Sequence, residues 1–339
     1  AETSEEQETG YLNVALFGLD SREGDLGKGN RSDTMMIASL NKATGEVKLV
    51  SVYRDTLLEL DDGSYNKANA AYAFGGPEGA ISMINRSMDM DISKYVAVNF
   101  NALVDVIDAL GGLDITLTDA EVVHMNNYCV ETSKVTGADY TKIEPEVAGT
   151  YHLNGVQAVS YSRIRYTGGG DFERTSRQRH VLELIAEKAQ SASFSTLNKI
   201  IDKVFPQVST NFTITEMIAY AKDIAKYKLG DSMGFPDNNS FDMLDVVGSV
   251  VIPETLTSNV EDVHKFLFGD DGYTISSNVT DIEAGIREKC THKATSDSVI
   301  ESDDDYGSGS GTSNDYSNSG SSNSNYNNSY NNNYNDSYN

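Results

Sequence analysis

After Ile300 the chain contains no aliphatic residue. Residues 301–339 are Ser, Asn, Gly, Asp and Tyr with one Glu and one Thr, punctuated by six tyrosines from Tyr306 to Tyr338. Such a stretch cannot bury enough apolar surface to offset the entropy of ordering it. Any fold must therefore be built from what precedes it, and residues 293–339 are expected to form a disordered tail. Residues 1–10 read as a polar lead-in, which leaves 11–292 as the folded body, ample for a buried core.

Charge narrows the function classes. The chain carries 51 acidic against 26 basic residues, a formal net charge of −25. Six of the acids fall after Ile300, so the body is acidic in its own right. Phosphate backbones repel such a chain, which argues against nucleic acid as a partner. No apolar run approaches the ~20 residues of a membrane helix. Five histidines show no H-x-x-x-H spacing and the cysteines no C-x-x-C spacing, against a zinc site. Cys129 and Cys290 could form one disulfide or remain two thiols; the sequence leaves both open.

Strands and helices intermingle along the body. LNVALFGLD reads as a buried strand. TMMIASLN and EVKLVSVY read as a hairpin joined at Asn41–Gly45. Pro77 marks an early position of the helix PEGAISMINRSM. YVAVNF is a strand, Asn101 a cap for the helix ALVDVIDAL, and LDITL another strand. Residues 119–150 read as an irregular excursion. VQAVSYSRIRY alternates like a strand, and three glycines then precede the helix FERTSRQRHVLELIAEKAQ. Helices near 194–205 and 213–228, a late strand MLDVVGSVVI and a short helix EDVHKFLFG complete the body. The expected fold class is α/β, a single α-β-α sandwich with a mixed central sheet.

The arginines of this acidic chain are concentrated. Arg163 and Arg165 lie two apart on the expected strand, so both face one way. Asp171, Arg174 and Gln178 share one face of the following helix. Strand, glycines and helix would deliver two or three guanidiniums to one place, beside a helix N-terminus that favours an anion. Guanidinium forks match phosphate oxygens. Any one arginine could instead pair with a surplus carboxylate; the set beside a triple glycine favours an anion site. Arg54 follows the strand LVSVY and precedes Asp55, a position that suits either a ligand contact or a structural ion pair. Asp20 and Asp33 sit at strand termini beside Arg22 and Arg31. One or two carboxylates plus substrate phosphates is how Mg2+ is usually held, although turn-forming aspartates would look the same.

Taken in order, GLDSR, RSDTMM, SVYRDT, NAAYAFGGPEGAI, VNFNALVDVIDALGGLDI and YSRIRYTGGGDFERTSRQRHVL resemble the LytR–CpsA–Psr family, and VVGSVVIP and VHKFLFGDDGY continue the likeness over roughly residues 11–290. The resemblance implies an enzyme that attaches a glycopolymer, such as teichoic acid or capsule, to peptidoglycan. The donor would be a polyprenyl-pyrophosphate-linked glycan, the acceptor a muramic-acid hydroxyl and the product a phosphodiester. It implies Arg54, Arg163, Arg165, Arg174 and Gln178 on the pyrophosphate, Asp20 and Asp33 on Mg2+, and motif positions for Arg31 and Asp171. Arg54 would act in catalysis, and Asp20 or Asp171 would serve as the base. The polyprenyl chain lies in an apolar pocket in this family, to which the AAYAFGG stretch could contribute. The family works on the outer face of a Gram-positive membrane, held by an N-terminal anchor that this chain lacks and that would have been removed upstream. Two alternatives stay open: a hydrolase of polyprenyl pyrophosphate, and a non-catalytic protein that binds lipid-linked glycans or regulates transcription, as older names of the family suggest.

Overall fold

A computed structural model describes residues 10–19, 26–167, 170–269 and 272–290. The tail assigned from composition lies outside them. Strand β1 (Tyr11–Leu19) pairs antiparallel with β2 (Ser32–Asn41), which turns at Asn41–Gly45 into β3 (Glu46–Val52). The expected hairpin is present. Asn41 Oδ1 accepts from the Ala43 and Thr44 amides, and Gly45 takes φ 75°, where a Cβ would meet the Lys226 carbonyl at 2.4 Å. Two short strands follow, β4 (Leu57–Glu59) and β5 (Tyr65–Lys67).

Helix α1 (Ala68–Met88) is broken at Gly76, whose φ of 71° and ψ of −162° are not helical. Pro77 opens its second half, as its position in the sequence suggested. β6 (Lys94–Val98) runs parallel to β1. Helix α2 (Phe100–Ala109) is capped by Asn99 rather than Asn101: Asn99 Oδ1 accepts from the Ala102 amide at 3.0 Å. β7 (Leu113–Leu117) pairs with β8 (Gly149–Leu153) across the segment expected to be irregular. That segment is largely helix α3 (Asp119–Thr136), started by a reciprocal Thr118–Glu121 capping box and stopped at Gly137 in the left-handed region.

The main correction concerns VQAVSYSRIRY. It is helix α4 (Gly155–Ser162), begun by an Asn154–Gln157 capping box, and every one of its residues is buried. A helix covered on all sides carries no periodic signal, so the alternation could not reveal it. Arg163 therefore ends a helix, and Arg165 lies in the loop beyond it. Helix α5 (Gly170–Ser191) is as expected. Helices α6 (Phe194–Val204) and α7 (Ile214–Lys222) flank the two-residue strand β9 (Ser209–Thr210). The end of the expected 213–228 helix instead leads to β10 (Lys228–Phe235), parallel to β3. The late strand is a hairpin, β11 (Asn239–Leu244) and β12 (Gly248–Pro253), with Gly248 at φ 81°. Helices α8 (Leu256–Phe268) and α9 (Ser277–Lys289) close the described chain.

The result is an α/β fold around a six-stranded mixed sheet in the order β10-β3-β2-β1-β6-β9. One face, with Ala15, Phe17, Leu19, Ile37, Val50 and Val52, packs against α1, α8 and α9 in a first core. A second core is built from α2, α3, α4, α5 and the β7–β8 ribbon. Ala70, Ala71 and Tyr72 of the AAYAFGG stretch belong to the first core, where Tyr72 meets the Phe17 ring edge-on. Cys129 lies in the second core and Cys290 against the first, so no disulfide joins them. Burial pushes the Cys129 thiol up to about 11. No helix among the described residues is long and apolar enough to cross a membrane.

Candidate functional site

Strands β1, β3 and β6 run in one direction, and their carboxyl ends carry the site. Such ends, where the order of an α/β sheet changes direction, are favoured ligand positions. Arg54 stands two residues beyond β3 in a turn held from several sides. The Asn69 amide donates to the Arg54 carbonyl at 3.0 Å, the Val251 amide to that of Asp55 at 2.9 Å and the Thr56 amide to that of Tyr53 at 3.0 Å. The backbone of Arg54 is therefore fixed before its side chain makes any contact.

That side chain is nearly buried, with 11% of its surface exposed, and it is surrounded by carboxylates. Its Nη1 donates to Asp33 Oδ1 at 2.8 Å. Its Nε lies 3.4 Å from Asp55 Oδ2 and 3.3 Å from Asp171 Oδ1. Asp33 comes from the second residue of β2, and Asp171 and Arg174 come from the first turns of α5. Arg174, 2% exposed, reaches Asp171 Oδ1 at 2.5 Å and donates to the Asp33 carbonyl at 3.4 Å. Arg165 Nη2 lies 3.6 Å from Asp33 Oδ2, and Lys67 Nζ lies 3.0 Å from Asp55 Oδ1. Three carboxylates thus meet four cations, a local surplus of positive charge in an acidic protein.

Burial raises the pKa of Asp33, but the guanidiniums of Arg54, Arg174 and Arg165 outweigh it and hold the carboxyl below its ordinary value. Burial lowers the pKa of Arg54 and the carboxylates of Asp171, Asp33 and Asp55 overcome it, leaving the guanidinium firmly protonated. Arg174, the most enclosed, is pulled down by burial to about 10 and stays charged at neutral pH. Its Nε is buried with no hydrogen-bond partner. A buried guanidinium edge of this kind suits an incoming anion.

The structure therefore gathers Asp33, Arg54, Arg165, Asp171 and Arg174, all among the positions singled out in the sequence. It does not bring Arg163 into direct contact with them. Arg163 donates to Thr132 Oγ1 and Glu131 Oε2, each at 2.9 Å, and stacks on Phe100 at 4.6 Å and Tyr128 at 5.4 Å. Tyr128 sits within the field of Arg165, Arg163 and Arg174, so Arg163 borders the site across that ring. The expectation that Arg163 and Arg165 share a strand face fails because they do not lie on a strand. Gln178 is half-buried one helical turn beyond Arg174, and Arg31 is exposed just before β2. Asp20 lies outside the described residues; its neighbour Leu19 pairs with Ser32, next to Asp33.

Two participants escaped the sequence reading. Lys67 ends β5, and no local pattern distinguished it. Arg177 is 8% exposed and donates to Glu121 at 3.0 Å, to the Ile164 carbonyl at 3.1 Å, to Glu173 at 2.9 Å and to Thr167. It latches the segment carrying Arg163 and Arg165 onto α5. Its spacing of three from Arg174 was the signal available.

Beside the cluster, the second face of the sheet is apolar yet incompletely covered. Val14 and Leu16 of β1 and Val96 and Val98 of β6 are half-buried, whereas their alternating neighbours are buried. Leu16 pairs with Met36 and Val96 in register, and Gly18 with Thr34 and Val98. This strip ends at Thr34, directly beside Asp33.

The LytR_cpsA_psr family matches residues 1–243. The chain belongs to the LytR–CpsA–Psr family. The Bacillus cereus (strain AH820) polyisoprenyl-teichoic acid–peptidoglycan teichoic acid transferase TagU is 33% identical over 217 residues, 62% of this chain and 64% of that relative. The match thus spans somewhat less than two thirds of that relative. B. subtilis TagV superposes with a TM-score of 0.58 at 26% identity, over 78% of this chain and 98% of its own. TagT bound to LI-WTA has the same fold, with a TM-score of 0.61 at 22% identity over 79% of this chain and 93% of its own.

Proposed function

We propose that this chain transfers a glycopolymer phosphate from a polyprenyl-pyrophosphate carrier to a muramic-acid hydroxyl of peptidoglycan. The observation that carries this reading is the junction of two surfaces: an incompletely covered apolar sheet face ending at a buried, net-cationic arginine cluster. A lipid pyrophosphate has the same two parts. Relatives named as teichoic acid transferases, and a fold neighbour bound to LI-WTA, support it.

The chemistry follows from the charges. Phosphoryl transfer needs alignment and charge stabilisation more than covalent help. Arg54, Arg165 and Arg174 bind the pyrophosphate oxygens, with Gln178 and Arg163 at the margins and Arg31 nearer solvent. The acceptor oxygen attacks the glycan-side phosphorus, the bond from that phosphorus to the bridging oxygen breaks, and polyprenyl phosphate leaves. Negative charge grows on the bridging oxygen, and a guanidinium there lowers the barrier. Asp171 is held by Arg54 and Arg174; phosphate oxygens that take over those guanidiniums release its carboxylate to accept the hydroxyl proton. Asp20 is the other candidate base.

Mg2+ fits this reading as a partner of substrate phosphate. Among the described residues no group of three or more His, Cys, Asp or Glu could hold a metal alone. Asp33 supplies one carboxylate at the cluster, and the β1–β2 register brings the chain neighbour of Asp20 beside it. That meets the one or two carboxylates Mg2+ takes when phosphates complete its shell. Bound there, Mg2+ would neutralise charge on the transferred phosphate. The reaction belongs on the outer face of the membrane, where peptidoglycan lies.

The test is incubation with Mg2+, a polyprenyl-pyrophosphate-linked sugar and a peptidoglycan fragment, read by mass spectrometry. The expected product is a phosphodiester-linked sugar with polyprenyl phosphate, lost in Arg54→Ala. Free sugar phosphate without acceptor product would identify a hydrolase, and donor binding with no product would identify a carrier.

A further inference from the structure

A cleft of about 850 Å3 contains none of the cluster residues. It lies between Leu26–Lys28, the Gly76 break of α1, the start of α2 and the β6–β9 edge with Pro206–Val208 before it. Its size falls within the roughly 300–1,000 Å3 of small-molecule sites. The proposed reaction has two substrates, and the cationic cluster with its apolar strip accounts for one.

The lining specifies the ligand's chemistry. Among the described residues, the ionised side chains that line it are one lysine and one glutamate, Lys28 and Glu78, whose charges cancel. A polyanion gains nothing there and is drawn instead to the arginine cluster. The remaining polar groups are amides and hydroxyls. Asn101 Oδ1 is buried with no hydrogen-bond partner. Gln207 Nε2 is committed to Asp105 Oδ2 at 2.8 Å and the Lys203 carbonyl at 3.1 Å, which fixes the amide and leaves Oε1 as its acceptor. Pro77, Pro206 and Val208 add apolar surface. Fixed acceptors beside apolar patches suit a sugar ring, which offers hydroxyl and amide donors at its rim and C–H groups on its face.

The cleft also lies within reach of the chemistry. The first half of α1 carries Asn69 in its first turn, whose amide donates to the Arg54 carbonyl, and ends at Gly76 in the cleft. Seven helical residues rise about 10 Å. The cleft wall at Leu26 is tied to the same half-helix, because Tyr72 Oη donates to the Leu26 carbonyl at 2.8 Å.

We infer that this cleft binds a neutral amino-sugar oligosaccharide, the glycan of the acceptor, and so presents an acceptor hydroxyl to the arginine cluster. This inference rests on the transferase reading. The probe is tetra-N-acetylchitotetraose, titrated calorimetrically into the full chain. Saturable binding is expected. It should weaken about tenfold in Asn101→Ala, the loss of one buried hydrogen bond. It should weaken further in Val208→Trp, which narrows the cleft, and persist in Arg54→Ala. Absence of binding to the wild-type chain, binding undiminished in both cleft variants, or equal displacement by a short glycerol-phosphate polymer would overturn it. The transfer assay separates the two readings. Transfer without saccharide binding defeats the cleft and spares the transferase; saccharide binding at the cleft without any transfer does the reverse.

Discussion

The two faces of strand β1 differ more than their sequences suggest. Ala15, Phe17 and Leu19 point into the first core and are at most 1% exposed. Val14 and Leu16 between them are as apolar, yet only half-buried, and so are Val96 and Val98 on β6 beside them. Where α5 lies against β3, the same second face is covered, and Met36 and Leu49 are buried. One face is thus a scaffold, and part of the other is apolar surface without a complete protein partner. Its end beside Asp33 and the arginines gives that surface a direction: apolar along the strands, cationic at their carboxyl ends.

The sharpest way to break this comparison is to truncate each face in turn. Phe17→Ala should cost about 3–5 kcal/mol of stability in denaturant unfolding, as for a fully buried aromatic. Arg54→Ala should leave the fold in place and lower turnover by about 10²–10³, the effect of removing one donor from a developing charge. Arg177→Gln should cost about 3 kcal/mol, because it leaves Glu121 without its buried partner. As a positioning residue, Arg177 should also raise KM for the donor more than it lowers kcat. Leu16→Ala should cost only about 1 kcal/mol, since the side chain is not fully buried, while weakening polyprenyl-pyrophosphate binding.

The smallest effect is on pH. The Asp33 carboxyl is held below its ordinary value, so its ion pairs contribute stability fully above the ordinary carboxylate range. That contribution is lost as pH falls through the lowered value. The stability difference between wild type and Asp33→Asn should therefore be constant from pH 7 to about 5 and shrink below about 4. A difference that grew on acidification would contradict the sign.

These contrasts also explain what the sequence could reveal. The β1, β2 and β3 strands were legible because alternation and the Asn41–Gly45 turn agreed. Helix α5 was legible because one of its faces meets solvent. Helix α4 was not, since a helix buried all round has no period to detect. The β11–β12 hairpin was hidden because valine pairs lie close to Gly248 on both sides. At the site, Arg163, Arg165 and Arg174 stood out because few bases stand in so acidic a chain, whereas Arg54, Asp20 and Asp33 were assigned through the family resemblance. Their geometry could not, because β2, the turn after β3 and α5 meet only in three dimensions. Arg163 shows the consequence: on a strand it would share a face with Arg165, but at the end of α4 it stacks on Phe100 and Tyr128 instead.

On this account the partly covered face holds the lipid and the cluster holds its pyrophosphate. A polyprenyl pyrophosphate carrying a photoreactive diazirine on its chain tests it directly, with labelled residues read by peptide mass spectrometry. Labels on Val14, Leu16, Val96 or Val98, lost in Arg54→Ala, are the predicted result. Labels confined to exposed residues such as Phe74, or unchanged without Arg54, would contradict it.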